Sequence, residues 1–406
     1  MEISVNRKIP TAELANNGWF IYTLCLLISI SALAIDVSLP AIPLVAEALG
    51  AGIESAQLTI SIYLAGFACG QIPVGLLADR FGRRPVIVLG LLLFTGAALI
   101  GALSMDIRLL LLARFIQGLG GSVGPVLSRA MVRDVTTGNL AAKHMSLMVT
   151  ALGVATLLGP IIGSGLILLG GWRSTYFFSV FSGVIILLLV AVFVPETRRQ
   201  TAKVSALSQL KSSFNAFFSS RQSLLGLALV ALPFGGYMTI VTQWSSVVVD
   251  VYKLPPIAFG PIFALAAVAY TVGAMLSKKH VSRYGVAQML KISIYVFTAA
   301  TLFLLVILFL GHVSLPVLWM AITVYLLGIG LILPNATAWA LDPLPQAAGF
   351  GASIVGTAQI AFSSLLSSIA AAFYTQTIMS MTVLLTVAGA LTVVVYVFGQ
   401  RLMRQQ

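Results

Sequence analysis

The stretch Trp19-Phe-Ile-Tyr-Thr-Leu-Cys-Leu-Leu-Ile-Ser-Ile-Ser-Ala-Leu-Ala-Ile-Asp36-Val-Ser-Leu-Pro40 decides how the chain is read. As a helix it covers about 25 Å between Trp19 and Asp36, most of a hydrocarbon core. Asp36 is the anomaly in it. A charge at bilayer depth costs roughly 2.5–3.5 kcal/mol on insertion scales, so an acid there either takes up a proton or faces a wet cavity. Both outcomes point to function. The alternative is that Asp36 snorkels to the far interface.

Outward from this stretch the composition does not change. The 406 residues are 59% hydrophobic and 8% charged, where a soluble domain carries about 25% charge. The expected class is an all-α membrane protein with no room for a separate soluble domain. Apolar runs broken by Gly, Pro and charge clusters predict twelve transmembrane helices near 18–40, 55–78, 85–105, 107–130, 143–169, 174–194, 222–249, 256–277, 286–310, 314–340, 347–373 and 378–400.

With the N-terminus placed inside, 19 of the 23 Lys and Arg residues fall on inner segments, only Arg108, Arg173 and Lys253 fall outside, and Arg114 lies within the fourth helix. The positive-inside rule then puts both termini in the cytoplasm. The net charge of +12 is therefore a topology signal and not a nucleic-acid surface. Cys25 and Cys69 sit in apolar runs without metal-ligand spacing and read as packed thiols. No cofactor or metal is expected. The polar first 18 residues are not followed by a small-residue cleavage site, so the first helix is expected to be retained.

The longest polar interruption, from Pro195 to Arg221, divides the chain into two six-helix halves, 1–195 and 222–406, joined by a cytoplasmic linker over 196–221. Within it, a short amphipathic helix over Leu207 to Phe218 would turn Leu210, Phe214 and Phe217 to lipid and Lys211 to headgroups. A mobile linker is the competing reading. The halves echo one another weakly: Gly75-Leu-Leu-Ala-Asp79-Arg80-Phe-Gly82-Arg83-Arg84 after the second helix answers Lys278-Lys279-His280-Val-Ser-Arg283-Tyr284-Gly285 after the eighth. Paired halves of this kind imply a pseudo-two-fold axis along the membrane normal and a site between them at the midplane.

The Gly75 to Arg84 segment must reverse the chain in few residues, which calls for Gly82. Asp79 can pair with Arg83 or meet a neighbouring helix N-terminus, giving a latch that forms in one conformation and releases in another. Positive-inside charge on a tight turn accounts for Arg80, Arg83 and Arg84 but not for the acid among them.

This segment resembles the loop signature of the major facilitator superfamily, and the likeness extends along the whole chain. Arg114-Phe-Ile-Gln117-Gly118 resembles that superfamily's second motif, and Leu158-Gly159-Pro160-Ile-Ile-Gly163-Ser164-Gly165 resembles its antiporter motif. Ser164 replaces a usual Gly, and Ala155 stands where an earlier Gly is common. Ile35-Asp36-Val-Ser-Leu-Pro40-Ala-Ile-Pro43 and Ala130-Met-Val-Arg133-Asp134 are similar to the drug:proton antiporter branch of Bcr/CflA type.

The resemblance implies a proton-coupled efflux carrier of the bacterial inner membrane that exports a small, partly apolar compound such as an antibiotic. Its partners would be substrate, protons and lipid, and the carrier would be a monomer. Asp36 is then the proton site. Arg114 lies well inside the hydrocarbon and must find an acid, a carbonyl or water; Asp36 is the nearest acid by depth, and a fixed tie to carbonyls is the other option. Gly159, Pro160 and Gly163 give helix five a thin, kinkable face suited to rocking or simply to close packing. Asp134, beside Arg129 and Arg133, reads as part of an inner-surface ion pair.

The second half has no acid at mid-depth. It offers Phe234, Tyr237, Gln243, Trp244, Tyr270, Asn335, Trp339 and Gln359, which with Gln117 form a candidate wall for a partly apolar ligand. Within transport, the rivals are export of a cell-made siderophore, nucleoside or amino acid, proton-coupled import, and a non-transporting receptor. An intramembrane enzyme would need a nucleophile and a base at depth. Ser164 and Ser353 are flanked by small residues, but His144, His280 and His312 fall at loops or helix ends, so no enzyme is expected.

Overall fold

The computed structural model describes Leu14 and residues 17–198, 214–311, 313–344 and 348–404. Asn17 starts the first helix, α1 (Gly18–Asp36), by accepting from the Trp19 and Phe20 N–H groups. Pro40 and Pro43 cannot donate to a continuing ladder. The chain therefore passes through a 3₁₀ turn (Leu39–Ala41) into α2 (Ile42–Ala48), and the span continues to Ala48 instead of ending near residue 40. Asp36 is thereby twelve residues from the end of its span.

Next come α3 (Ile53–Phe81), α4 (Arg83–Leu103), α5 (Ile107–Gly121) and α6 (Val123–Val135), the last two forming one span that bends at Ser122. The 56-residue helix α7 (Gly138–Phe193) is interrupted by non-helical backbone at Gly170 and Gly171, between the two helices expected there. After α8 (Arg221–Ser246) and a π turn (Val247–Val251), the 52-residue α9 (Phe259–Leu310) is interrupted only at Gly285. Lys278, Lys279 and His280, expected in a loop, are thus helical. The last helices are α10 (Leu315–Leu341), α11 (Ala348–Ala372) and α12 (Met379–Arg404). Among the described residues, ten helical stretches are long and apolar enough to span a membrane.

Arg80 and Phe81 end α3 and Arg83 begins α4, so the Gly82 turn marks a basic end, with the start of α3 at the opposite end. That end holds the Gly82 turn with Arg80, Arg83 and Arg84; the Gly285 turn likewise follows basic residues, Lys278 and Lys279. The sequence echo between these turns is also an echo in backbone: φ is +106° and ψ 158° at Gly82, and +76° and 163° at Gly285. Side chains other than Gly adopt that region at a steric cost.

Helix α1 packs on α6 and α7, α3 on α5, and α4 on α5 and α7; further on, α9 packs on α10 and α12, and α8 on α10, α11 and α12. Contacts of α3 with α11 and of α7 with α9 join the two groups.

The amphipathic helix expected over 207–218 lies mostly outside the described residues, although 214–219 are helical. There Phe217, expected toward lipid, is fully buried in the core, whereas Phe214 is exposed. The first residues of the expected linker are not free either: Glu196 and Arg198 bind the Gly82 turn.

Candidate functional site

Asp36 is 4% exposed. Burial so far from the end of its span excludes snorkelling to the interface. The ion pairs among the described residues join Arg83 to Asp79 and to Asp134, so Asp36 has no cation within pairing distance. Its carboxylate faces α7, where the Thr156 hydroxyl is in hydrogen-bonding reach.

One turn on, a Cβ on Gly159 would stand 2.5 Å from the Asp36 Cβ, and one on Gly163 would stand 2.2 Å from the Val37 carbonyl oxygen. Both distances lie far inside van der Waals contact, so α7 can approach the acid only because these positions are Gly. Gly153 and Gly165 of the same helix meet nothing within 4 Å.

Arg114, 1% exposed, is on the other side of α1. Its guanidinium donates to the Ala34 carbonyl (3.1 Å), the Ser38 hydroxyl (2.6 Å) and Gln117 Oε1 (3.0 Å). It also lies over the rings of Tyr63 and Tyr176, 5.1 and 5.2 Å from their centroids. Residues 34 and 38 share a helix face roughly opposite residue 36 at 100° per residue. Arg114 thus holds a backbone carbonyl before the acid and a side-chain hydroxyl after it, without an ion pair to the acid itself. Of the partners open to it in the sequence, it has taken a carbonyl and two neutral oxygens.

At the basic end, Arg83 binds Asp79 (2.6 Å) and Asp134 (3.2 Å). Asp134 therefore does pair at this surface, with Arg83. Glu196 accepts from the Arg83 and Arg84 backbone N–H groups at 2.9 and 3.0 Å, and so caps α4, whose N-cap residue, Gly82, has no side chain. Arg84 donates to the Ala191 carbonyl and Arg198 to that of Arg80. A Cβ on Gly75 would meet nothing within 4 Å.

A family model described as Major Facilitator Superfamily matches residues 24–367. The chain belongs to that superfamily. It is 28% identical over 382 residues to the bicyclomycin resistance protein homolog of Haemophilus influenzae, covering 93% of this chain and 95% of the relative. Identity to multidrug resistance protein D of Escherichia coli is 28% over 377 residues (91% and 93% covered). Identity to multidrug resistance protein MdtL of Klebsiella pneumoniae is 30% over 342 residues (82% and 83%).

Among solved structures, the fold is similar to a D-xylose–proton symporter (TM-score 0.75, 15% identity, 92% and 96% covered). It is also similar to an inward-facing bacterial homolog of the human lysosomal transporter Spinster (TM-score 0.71, 15% identity, 97% and 96% covered). This member of the superfamily is a multi-pass membrane transporter and not an enzyme.

Of the candidate wall residues, the fold brings three together. The Tyr237 ring stacks on Tyr270 at 6.1 Å and lies 5.4 Å from Phe234, and all three side chains are half-buried. Three others are spent on packing. Gln243 ties α8 to the Ala370 carbonyl of α11 and to Ser380 of α12, and Asn335 donates to Ser277 and to the Leu331 carbonyl. Trp244 is fully buried in the core.

Gln117 is buried beside Arg114, and Trp339 and Gln359 are half-buried on α10 and α11. Asp250, near the opposite end, accepts from the Tyr374 hydroxyl at 3.3 Å; burial, with that carboxylate beside it, pushes the Tyr374 phenol well above its ordinary value. Sequence reading missed Ser38, Tyr63, Thr156, Tyr176 and Glu196. Ser38 and Thr156 had a usable signal, since each lies within a turn of a residue already singled out.

Proposed function

We propose that this transporter is a proton-coupled antiporter that exports a small, partly apolar compound such as an antibiotic. The observation that carries this reading is Asp36: a buried carboxyl twelve residues inside its span, with no ion pair among the described residues and with the Thr156 hydroxyl beside it. An acid so placed can gain and lose a proton without breaking a salt link. The drug-resistance names of the relatives support a drug-like cargo and, with it, export over import.

In this proposal the two long helical stretches each cross twice, at the Gly170–Gly171 and Gly285 breaks, which makes twelve crossings in two six-helix halves. The basic end is cytoplasmic, both termini lie there, and the membrane is the bacterial inner membrane. The halves rock around the Asp36 region while the carrier works as a monomer. A potential of about 100 mV supplies about 2.3 kcal/mol per charge, so one inward proton can hold a neutral solute at a gradient of some tens of fold.

The test is pH-gradient-driven uptake of candidate drugs and metabolites into inside-out vesicles, with Asp36→Asn beside the wild type. Gradient-driven uptake should vanish while the variant remains in the membrane at normal abundance. Full energised transport by Asp36→Asn would overturn the reading.

A further inference from the structure

Toward the end of α3 opposite its arginine, neutral groups tie it to α8 and α11. Gln57 Nε2 donates to Ser246 Oγ at 2.9 Å, the Ser61 and Ser367 hydroxyls are 2.7 Å apart, and the Ser364 hydroxyl donates to the Ser61 carbonyl at 2.8 Å. Thr242 shares Ser367 with Ser61. These bonds join α3 to α8 and α11, and all of them are buried.

One more connection crosses the same boundary on the far side of the bundle. The first N–H groups of a helix have no intrahelical acceptor, and Ala258, the N-cap residue of α9, supplies no side-chain bond. The Gly260 N–H donates instead to Ser164 Oγ of α7, at 3.1 Å and 96 positions away in sequence. Ser164 therefore caps a helix of the other half. The approach is tight: a Cβ on Gly260 would stand 2.5 Å from the Pro160 carbonyl oxygen and 2.6 Å from Ser164 Oγ.

Ser164 differs from the other closing hydroxyls in what its helix touches. The two turns from Gly159 to Ser164 contact Asp36 and Val37 on one side and α9 on the other. We infer that Ser164 is a positioning residue: its bond to Gly260 lets the state of Asp36 bias closure of the opposite end. This rests on the alternating-access reading above. Any change in how α1 seats against Gly159 and Gly163 moves the carbonyl and hydroxyl that meet Gly260, so the closing contact follows the acid.

The test is a distance measurement between spin labels on the opposite end. They are placed at Met105→Cys and Phe373→Cys, which are 81% and 67% exposed, in protein reconstituted in liposomes with Cys25 and Cys69 replaced. The parent should populate mainly a short distance. Ser164→Ala should raise the ratio of long to short populations about fivefold, the weight of one net hydrogen bond. Gly260→Ala, which forces the helices apart, should raise it further. An unchanged ratio in both variants overturns the latch.

Coupling is read from the double variant. Asp36→Asn should shift the ratio in the parent and shift it less than half as much when Ser164 is Ala, since groups acting through one contact are not additive. Additive shifts overturn the coupling role. The two proposals fail separately: normal energised transport by Asp36→Asn alongside a shifted Ser164→Ala ratio removes the antiport reading and leaves the latch. Loss of transport with unshifted distances does the reverse.

Discussion

Residues 17–198 bury a carboxyl and a guanidinium within their spans, Asp36 and Arg114, whereas the described residues from 221 onward bury only amides, hydroxyls and rings among their polar groups. The surroundings differ accordingly. Arg114 has one oxygen from α1, one from the turn after it, one amide from its own helix and two aromatic faces arranged around it. Gln243 and Asn335 are each satisfied by a carbonyl and a neighbouring hydroxyl. A buried charge needs a prepared shell, because leaving it unpaired costs several kcal/mol. A buried amide needs one or two acceptors and serves as a staple between helices. Among the described residues, buried charge thus lies in the first region, while the second buries amides, hydroxyls and rings and holds the Phe234–Tyr237–Tyr270 cluster.

The strongest way to break this contrast is Arg114→Lys. The ammonium cannot form the guanidinium fork that reaches Ala34, Ser38 and Gln117 together. At about 1.5–3 kcal/mol per charged hydrogen bond, the variant should lose about 3 kcal/mol of stability in detergent and most of its transport. A thermal melt beside vesicle uptake checks this. A variant with parental stability and activity would mean the shell around Arg114 is incidental.

Tyr237→Ala tests whether that aromatic cluster is more than packing. Aromatic contacts are worth about 0.5–1.5 kcal/mol, so KM for an aromatic substrate should rise about two- to tenfold while proton dependence stays as in the parent. Gln243→Ala, removing a staple, should lower melting temperature without moving KM. If the two variants behave alike, Tyr237 is a core residue.

The span pattern was legible in the sequence because apolar runs and glycine breaks are local signals: Gly82, Gly170, Gly171 and Gly285 all interrupt helices where reversals were expected. Asp36 stood out for the same reason, as one acid in an apolar run. What could not be read was direction around a helix. Depth alone made Asp36 the natural partner for Arg114, yet the two occupy opposite faces of α1, a relation set by how α5 and α7 pack on it. The use of Gln243, Trp244 and Asn335 in packing was hidden likewise, since a buried amide that staples and one that meets a ligand look the same in a sequence. Glu196 was read as the start of a linker because its partners, the Arg83 and Arg84 amides, lie more than 110 positions away.

The smallest expected effect separates the two glycine turns. The Gly82 and Gly285 backbones are similar, but only at the first does a carboxylate, Glu196, cap the following helix among the bonds seen here. Glu196 is exposed, so solvent and salt weaken what its charge adds at a helix N-terminus, about 0.3–1 kcal/mol at low ionic strength. Glu196→Gln keeps an acceptor and removes the charge. It should lower the melting temperature slightly in low salt and not at all near 1 M salt, where screening acts within about 3 Å. A loss that persists in high salt would show that the amide cannot hold the cap geometry, and that the first turn depends on the shape of Glu196 more than on its charge. Either result concerns the first turn only, and the second, with a similar backbone conformation and no carboxylate cap among the described residues, provides the reference.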